Sequence, residues 1–348
     1  MSINLKKPVK LSRAGAWRTY FGGSLIEKLH GNENAPDTNF PEEWIMSTVA
    51  ARNSGREHIV EGLSMVEGSD ISLERLIKNN PYECLGKEYV KNHGKTPGVL
   101  VKLIDSSERL TIQVHLTKEK AKEVFDSPFG KTECWHIIGG REINGEKPCI
   151  YFGFKKGITR EKWKEIFDNQ DIPKMLDCMH KFEVKEGDTF LIEGGIPHAI
   201  GAGCFLVEVQ EPTDFTIRTE KTTPGGLCVS DFMCHQGLGF DKMFDLFDYT
   251  GYTKEEILEK WYIKQKDETL IGYNHTKMFA LDMLFINGEK EICSNNKFSG
   301  IYVLDGEGTI DGKNAKKGDQ YFLAACCDNF KISGNMKIIR FYGPKEEV

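Results

Sequence analysis

Apolar and polar residues alternate along much of the chain, a period of two that predicts β-strands. The clearest examples are GVLVKLID (98–105) and RLTIQVHL (109–116), which a short Ser-Ser-Glu turn separates. Similar patterns occur in KTECWHIIGG (131–140), in residues 180–220 and in residues 277–342, and glycines punctuate many of them. Glycine-punctuated hairpins of this kind fold into small jelly-roll barrels, so the pattern predicts a mostly β protein.

Helical patterns interrupt the strands at three places. Leu73, Leu76 and Ile77 fall at helical spacing after a serine cap, and Trp163 and Ile166 belong to an apolar stripe that follows a threonine cap. The third helical stretch includes FDKMFDLFDY and TKEEILEKW. Two jelly-roll barrels with helical insertions would account for a chain of this length.

Composition narrows the function classes. The 348 residues contain 46 Lys and Arg against 52 Asp and Glu, so a net charge of −6 speaks against a general nucleic-acid binder. No apolar run approaches the roughly 18–20 residues that cross a bilayer, and the basic start lacks the apolar segment of a secretion signal. The ten cysteines form no CxxC pair, so we expect reduced thiols and a cytoplasmic protein.

Four polar residues stand at positions where their side chains could converge. Gln113 and His115 share one face of their strand. Glu133 follows His115 by 18 residues, which fits the next strand of the same sheet, and Lys131 shares the strand face of Glu133. His198 follows a turn fixed by two glycines and a proline. Each residue has an ordinary alternative: an exposed polar pair, an exposed strand carboxylate, or a hydrogen-bonded core histidine. Together, the two imidazoles, the amide and the carboxylate suit Zn²⁺ with an open position.

Arg218, in EPTDFTIRTE, is a further candidate. Its guanidinium is always charged and presents a fixed fork of donors, which suits an oxyanion or a phosphate. The alternative is a surface salt bridge with Asp214 or Glu220.

Several of these segments resemble the successive signature segments of a known family. They are GVLVKLIDSSERLTIQVH, GKTECWHII and GDTFLIEGGIPHAIGAGCFLVEVQEPTDFTIR, preceded by WRTYFGGSLIEKL and PEEWIMS. In this order and spacing they resemble the type I mannose-6-phosphate isomerases (phosphomannose isomerases) of the cupin superfamily. The likeness runs from about residue 15 to residue 220, and beyond residue 230 it is limited to cupin-like hairpins at 299–334.

The resemblance implies two cupin-like double-stranded β-helix barrels with helical insertions. The expected domains are an N-terminal catalytic barrel at 1–68 and 96–230 with insertions at about 69–95 and 159–179, a helical connector at 231–276, and a second barrel completed by 277–348.

Site residues follow from matching the motifs position by position. The resemblance implies one Zn²⁺ per chain, bound by Gln113, His115, Glu133 and His198. It also implies Arg218 and Lys131 as catalytic residues, and Thr111, Lys131 and Arg218 as substrate-binding residues. Three features depart from the family pattern: Leu116-Thr117 in place of Pro-Asp, His136 in place of a tyrosine, and a segment from Gly225 to Asp231 without a counterpart. We expect Leu116 and His136 to reshape the substrate rim.

The expected activity is the interconversion of mannose 6-phosphate and fructose 6-phosphate, in which a proton moves between C1 and C2 through a cis-enediol. Zn²⁺ would polarise the sugar oxygens and Arg218 would stabilise the enediolate. A zinc-activated water, Lys131 and Glu193 all remain candidates for the base. The partner is a small sugar phosphate, and the chain is a monomer or homodimer. A metal-dependent cupin oxygenase and a non-catalytic sugar-binding cupin are the alternatives.

Overall fold

The chain folds mainly into antiparallel sheets, which confirms the predicted mostly β class. The structure is a computed structural model and describes residues 3–53 and 55–345. The outer bounds predicted for the two barrels, residues 1 and 348, lie outside the described residues. Over the described part of the chain, no helix combines the length and the apolar character needed to cross a membrane.

Eighteen strands and ten helices alternate along the described chain. The strands are β1 (Val9–Leu11), β2 (Gly15–Ala16), β3 (Glu42–Ile45), β4 (Leu100–Asp105), β5 (Gln113–Val114), β6 (Glu133–Gly140), β7 (Cys149–Phe154), β8 (Met179–Glu183), β9 (Thr189–Ile192), β10 (His198–Ile200), β11 (Cys204–Gln210), β12 (Ile217–Arg218), β13 (Thr269–Ile271), β14 (Ala280–Ile292), β15 (Ser299–Ile310), β16 (Lys313–Lys316), β17 (Gln320–Leu323) and β18 (Phe330–Tyr342). The helices are α1 (Ser24–Leu29), α2 (Leu73–Asn79), α3 (Pro81–Leu85), α4 (Lys87–His93), α5 (Lys118–Phe125), α6 (Arg160–Asp168), α7 (Ile172–Asp177), α8 (Asp231–His235), α9 (Phe240–Phe244) and α10 (Lys254–Trp261).

Two of the three sheets pack face to face. The six-stranded sheet has the order β2-β3-β4-β11-β6-β9 and the five-stranded sheet the order β12-β5-β10-β7-β8. Apolar side chains of both sheets, such as Trp135 and Phe152, belong to one buried cluster, and the Trp135 ring meets the His198 ring edge-on at 5.4 Å. Facing antiparallel sheets of this kind form a jelly roll, and the space between them contains the candidate site.

Helices cover the outer face of the five-stranded sheet. Trp163 of α6 and Phe244 of α9 share a buried cluster with Ile112 and Val114. The structure has helices in both stretches where insertions were predicted: α2–α4 lie within 69–95, and α6 and α7 within 159–179. Helices α6, α7 and α9 give β5 an apolar outer neighbour, which leaves its polar side chains on the inner face.

The third sheet contains the C-terminal strands. Its order is β1-β17-β15-β18-β14-β13, and β16 also pairs with β15. The strands β14, β15 and β18 are each 12 or 13 residues long, and Leu284, Val303 and Ile338 belong to a buried cluster made only by this C-terminal part. The sheet thus has a core of its own, while closure into a second barrel stays a prediction.

Two strands of this sheet lie outside its predicted bounds of 277–348. Strand β1, expected in the N-terminal barrel, pairs with β17, and β13, expected in the connector, pairs with β14. Both strands have three residues, too few for a period-two pattern to show which sheet they join. Their backbone groups pair with strand edges that would otherwise be open, so tertiary contacts, and not the local sequence, determine which sheet each strand joins.

A buried amide links β17 to the N-terminal segment. Gln320 Oε1 accepts a hydrogen bond from the Met46 N–H at 2.9 Å, and its Nε2 donates to the Ser12 carbonyl at 3.2 Å. We expect Gln320→Met to lower the free energy of unfolding by about 2–4 kcal/mol, because it leaves both backbone groups without these partners. Urea denaturation measures the effect. The exposed Gln265→Met is the control, with an expected change within about 0.5 kcal/mol, and equal stability of the two variants would contradict the prediction.

Candidate active site

The polar residues of β5 point into the space between the facing sheets. Ile112, Val114 and Leu116 belong to the outer, helix-covered cluster, so the intervening Gln113 and His115 share the inner face. His115 has no exposed surface and Gln113 is 9 % exposed. The shared face predicted from the sequence is therefore confirmed, and the alternative of an exposed polar pair is wrong.

Three ionisable side chains from different strands meet there. His115 follows β5, Glu133 begins β6 and His198 begins β10, and all three are fully buried. One potential ligand atom from each lies within 4.8 Å of the others. His115 Nε2 lies 3.2 Å from Glu133 Oε2, and His198 Nε2 lies 3.6 Å from Glu133 Oε1. The strand β6 belongs to the six-stranded sheet, whereas β5 and β10 belong to the five-stranded sheet, so the prediction that Glu133 lies on the same sheet as His115 is wrong. The arrangement brings two imidazoles and a carboxylate to one point, because the two sheets face each other.

Several atoms of this triad lack hydrogen-bond partners in the described structure. Both Glu133 oxygens, His115 Nδ1 and His198 Nε2 are buried without one. His198 Nδ1 lies 2.8 Å from the Ile196 carbonyl oxygen, to which it can donate, and this leaves the lone pair of Nε2 directed at Glu133. A second hydrogen bond that fixes the tautomer is typical of metal-binding histidines. The buried atoms therefore fit a divalent cation.

The protonation states of the triad also suit a cation. Burial and, to a lesser extent, nearby Lys131 lower the pKa of His115 to about 3, so the imidazole is neutral at pH 7. Burial likewise lowers the pKa of His198. Burial alone would raise the pKa of Glu133, but the positive charge of nearby Lys131 holds it well below its usual value. Neutral histidines and an ionised carboxylate are the forms that bind metal.

Lys131 lies directly against the triad. Its Nζ is 2.9 Å from His115 Nε2 and 3.3 Å from Glu133 Oε2. The backbone N–H groups on either side of Lys131 donate to the carboxylate of Glu211, that of Gly130 at 3.1 Å and that of Thr132 at 3.0 Å. Glu211 thus holds the backbone from which Lys131 reaches the site.

A cavity beside the triad collects the remaining predicted residues. It is lined by Arg18, Thr19, Tyr20, Glu42, Arg52, Asn53, Lys102, Ile104, Arg109, Leu110, Thr111, Gln113, Lys131, Glu208, Asp214, Thr216, Arg218, Thr223, Pro224 and Met233. Thr111, Gln113, Lys131 and Arg218 are therefore side by side, as a common site requires. In the strand register, Gln113 lies opposite both His198 and Arg218.

Four cations of this cavity are ion-paired with carboxylates. The pairs are Arg18–Glu42 (2.9 Å), Lys102–Glu208 (2.8 Å), Arg109–Glu220 (2.6 Å) and Lys131–Glu133 (3.3 Å). The salt bridges considered for Arg218 are absent from the described residues, because Asp214 pairs with Arg18 at 3.3 Å and Glu220 with Arg109. Arg218 Nη1 instead donates to the carbonyl oxygens of Thr216 at 3.1 Å and Met233 at 3.3 Å. Burial lowers the pKa of this guanidinium, against the attraction of Asp214.

Comparison with known proteins identifies the family. Residues 270–343 match the family model for the cupin domain of mannose-6-phosphate isomerase. A protein of Bacillus subtilis strain 168, described as the probable mannose-6-phosphate isomerase GmuF, is 33 % identical over 330 residues, which are 92 % of this chain and 94 % of that protein. The chain belongs to the mannose-6-phosphate isomerase family. Membership confirms the family predicted from the motifs and the prediction of an isomerase enzyme.

Solved structures of related proteins share the fold. The mannose 6-phosphate isomerase of Bacillus subtilis has a TM-score of 0.71 at 22 % identity, over 97 % of this chain and 99 % of that one. A zinc-bound mannose 6-phosphate isomerase has a TM-score of 0.72 at 13 % identity, over 97 % and 100 % of the two chains. These similarities show that the chain shares the fold of solved mannose 6-phosphate isomerases over 97 % of its length.

The structure also brings in residues that the sequence interpretation missed. Lys102 and Glu208 face the cavity as an ion pair, and the Trp135 indole donates to Glu208 at 3.1 Å. Both residues interrupt runs of apolar strand residues, LVKLID and FLVEVQ. A charged residue inside a strand that is otherwise buried on both faces was the available signal, because such a residue needs a partner in the interior.

Other expected contributors lie away from the cavity lining. Leu116 is packed in the outer apolar cluster, and the His136 imidazole bonds the Thr189 hydroxyl at 2.9 Å, so neither departure shapes the rim. The Glu193 side chain accepts from the Trp261 indole at 2.9 Å and is absent from the lining. The segment from Gly225 leads into α8, which begins at Asp231 and contributes Met233 to the cavity.

The low pKa of His115 predicts a pH-dependent stability of the metal-free protein. Between pH 6.5 and 3 the unfolded chain protonates this imidazole while the folded chain does not, so stability is full above pH 6.5 and falls on acidification. From pH 7 to pH 5 this one group removes about 2 kcal/mol from the free energy of unfolding. We expect His115→Asn to reduce that loss by about the same amount in urea denaturation with chelator present.

His198 and Glu133 have pKa values shifted in the same direction, so a smaller pH dependence remains in the variant. His275→Asn, which changes an exposed histidine, is the matched control and should leave the pH dependence unchanged. An undiminished loss of stability in His115→Asn would show that the imidazole is protonated in the folded state.

Proposed function

We propose that the chain interconverts mannose 6-phosphate and fructose 6-phosphate, with one Zn²⁺ held by Gln113, His115, Glu133 and His198. The buried triad with unpartnered ligand atoms, next to a cavity lined with arginines, carries this proposal. We assign the chemistry to the N-terminal barrel, 1–68 and 96–230. We assign 231–276 to a connector and 277–348, with β1 and β13, to a second barrel.

The donor set favours zinc among the divalent cations. Two imidazole nitrogens and a carboxylate oxygen are common zinc ligands, and Gln113, which lies opposite His198 and lines the adjacent cavity, offers an amide oxygen as a fourth. Zn²⁺ bound there would act as a Lewis acid on the hydroxyl and carbonyl oxygens of the sugar.

The remaining roles follow from the placement of the side chains. Arg218 carries donors that its two carbonyl contacts leave free, and it would donate to the oxygen on which charge develops in the cis-enediolate. Lys131 is the candidate base that lies in the cavity, whereas Glu193 bonds Trp261 outside the lining. In its neutral amine form, Lys131 would take the proton from one of the carbons C1 and C2, become an ammonium group, and return the proton to the other carbon. The Thr111 hydroxyl would contact the substrate.

Membership of an isomerase family favours this activity over both alternatives. An oxygenase predicts iron and oxygen consumption, and a sugar-binding cupin predicts zinc without turnover. A coupled assay on mannose 6-phosphate with and without chelator, together with metal analysis, distinguishes the three. We expect chelator-sensitive isomerisation that returns when Zn²⁺ is restored, whereas chelator-insensitive turnover or a fully zinc-loaded inactive chain would refute the proposal.

The metal assignment predicts a joint loss of metal and activity. His198→Ala removes one of the four proposed ligands, so we expect it to lose zinc and turnover together. The measurement is zinc per chain by elemental analysis, paired with the isomerase assay and a circular dichroism spectrum. His275→Ala should behave like the wild type in all three, and full zinc content in folded His198→Ala would remove His198 from the ligand set.

The role of Arg218 predicts a loss of turnover without loss of metal. We expect Arg218→Ala to fold and bind zinc normally, and to reduce kcat by about 10²–10³, as the removal of one oxyanion donor does. Steady-state kinetics and elemental analysis on the same preparation measure this. A kcat near that of the wild type would exclude the oxyanion role.

A further inference from the structure

The cations of the cavity do not all have compensating carboxylates. Six arginine and lysine side chains line it, and four are ion-paired as described above. Within the described part of the chain, no carboxylate oxygen lies within 4 Å of the guanidinium nitrogens of Arg52 or Arg218. Because Arg218 is assigned to the reacting end of the substrate, the Arg52 guanidinium is the cation left to bind an anionic group elsewhere on it.

Arg52 lies on a loop that several contacts attach to the cavity wall. Its backbone N–H donates to Asp214 Oδ2 at 3.2 Å, and the next residue, Asn53, accepts from Arg18 Nη1 at 3.3 Å. The Arg52 guanidinium lies 5.9 Å from the centre of the Phe215 ring, which stacks on Phe125 with a centroid distance of 4.7 Å. The loop therefore presents the arginine at the cavity with its side chain against an aromatic surface.

Depth separates this arginine from the reacting end. Arg52 is solvent-exposed, while Lys131 and His115 are buried, so Arg52 lies toward the mouth and the triad toward the interior. In a hexose 6-phosphate the phosphate is at the opposite end of the carbon chain from C1 and C2. A substrate with C1 and C2 at the triad would direct its phosphate outward.

We propose that Arg52 binds the phosphate of the substrate at the mouth of the cavity, and thereby selects phosphorylated over neutral sugars. This role rests on the isomerase function proposed above. The positive charge of Arg52 attracts the phosphate dianion, and the planar fork of its guanidinium can donate two hydrogen bonds to the phosphate oxygens. Arg52 then contributes to binding energy distant from the reacting carbons and not to the proton transfer.

The test compares Arg52→Gln and Arg52→Lys with the control Arg75→Gln, an exposed arginine of α2 outside the cavity lining. We expect Arg52→Gln to raise KM for mannose 6-phosphate by about 10- to 100-fold with kcat within about threefold of wild type. The inhibition constant of inorganic phosphate should rise by a similar factor. Arg52→Lys should be intermediate, since lysine keeps the charge without the fork, and Arg75→Gln should match the wild type.

The outcomes separate this inference from the isomerase proposal. An active wild type with unchanged KM and phosphate inhibition in Arg52→Gln overturns the phosphate role and leaves the isomerase standing. A fall in kcat at constant KM also overturns it, because it places Arg52 at the reacting end. If the wild type has no isomerase activity, calorimetric titration with inorganic phosphate is the deciding measurement. Phosphate binding by the wild type that is lost in Arg52→Gln supports the anion site, and equal phosphate binding by the wild type and Arg52→Gln overturns it.

Discussion

A carboxylate removed from water is the constraint on which this site depends. Glu133 has no exposed surface, and the transfer of such a charge into the interior costs several kcal/mol unless cations and donors surround it. Burial favours the neutral acid, yet the positive charge of Lys131 keeps the group ionised. Neither oxygen has a hydrogen-bond partner among the described residues, so the charge is only partly satisfied. A divalent cation is the group that would complete its environment.

The two facing sheets and the helices outside them make that environment possible. Glu133 lies on the six-stranded sheet and the two histidines on the five-stranded sheet, so the three residues converge only because the two sheets pack face to face. The helices give Val114 and its apolar neighbours an outer core, so the polar residues of the same strand must face inward. Glu211 fixes the backbone on both sides of Lys131. The ligands and the lysine are thus held in place before any substrate arrives.

The acidic character of the whole chain and the cationic character of its cavity are compatible because charges are compensated locally. The net charge is −6, yet six cationic side chains line one cavity. Most of them are neutralised by carboxylates, including Lys102 by Glu208 deep between the strands. The positive field left for an anion therefore comes from the few arginines without such a partner, and not from the number of basic residues. A site of this kind can attract a phosphate without an overall basic surface.

Periodicity and motif spacing by themselves determined the β class, the inner face shared by Gln113 and His115, and the set of candidate ligands with Glu133 and His198. These features depend on neighbouring residues along the chain, because a strand turns each successive side chain to the opposite face. The tertiary structure alone decided that β1 joins the C-terminal sheet, that Lys102 pairs with Glu208 across 106 residues, and that Arg52 lies at the cavity while Glu193 does not. Strand register and burial bring these distant groups together. Only this packing determines which charged side chains have a partner of opposite charge and which do not.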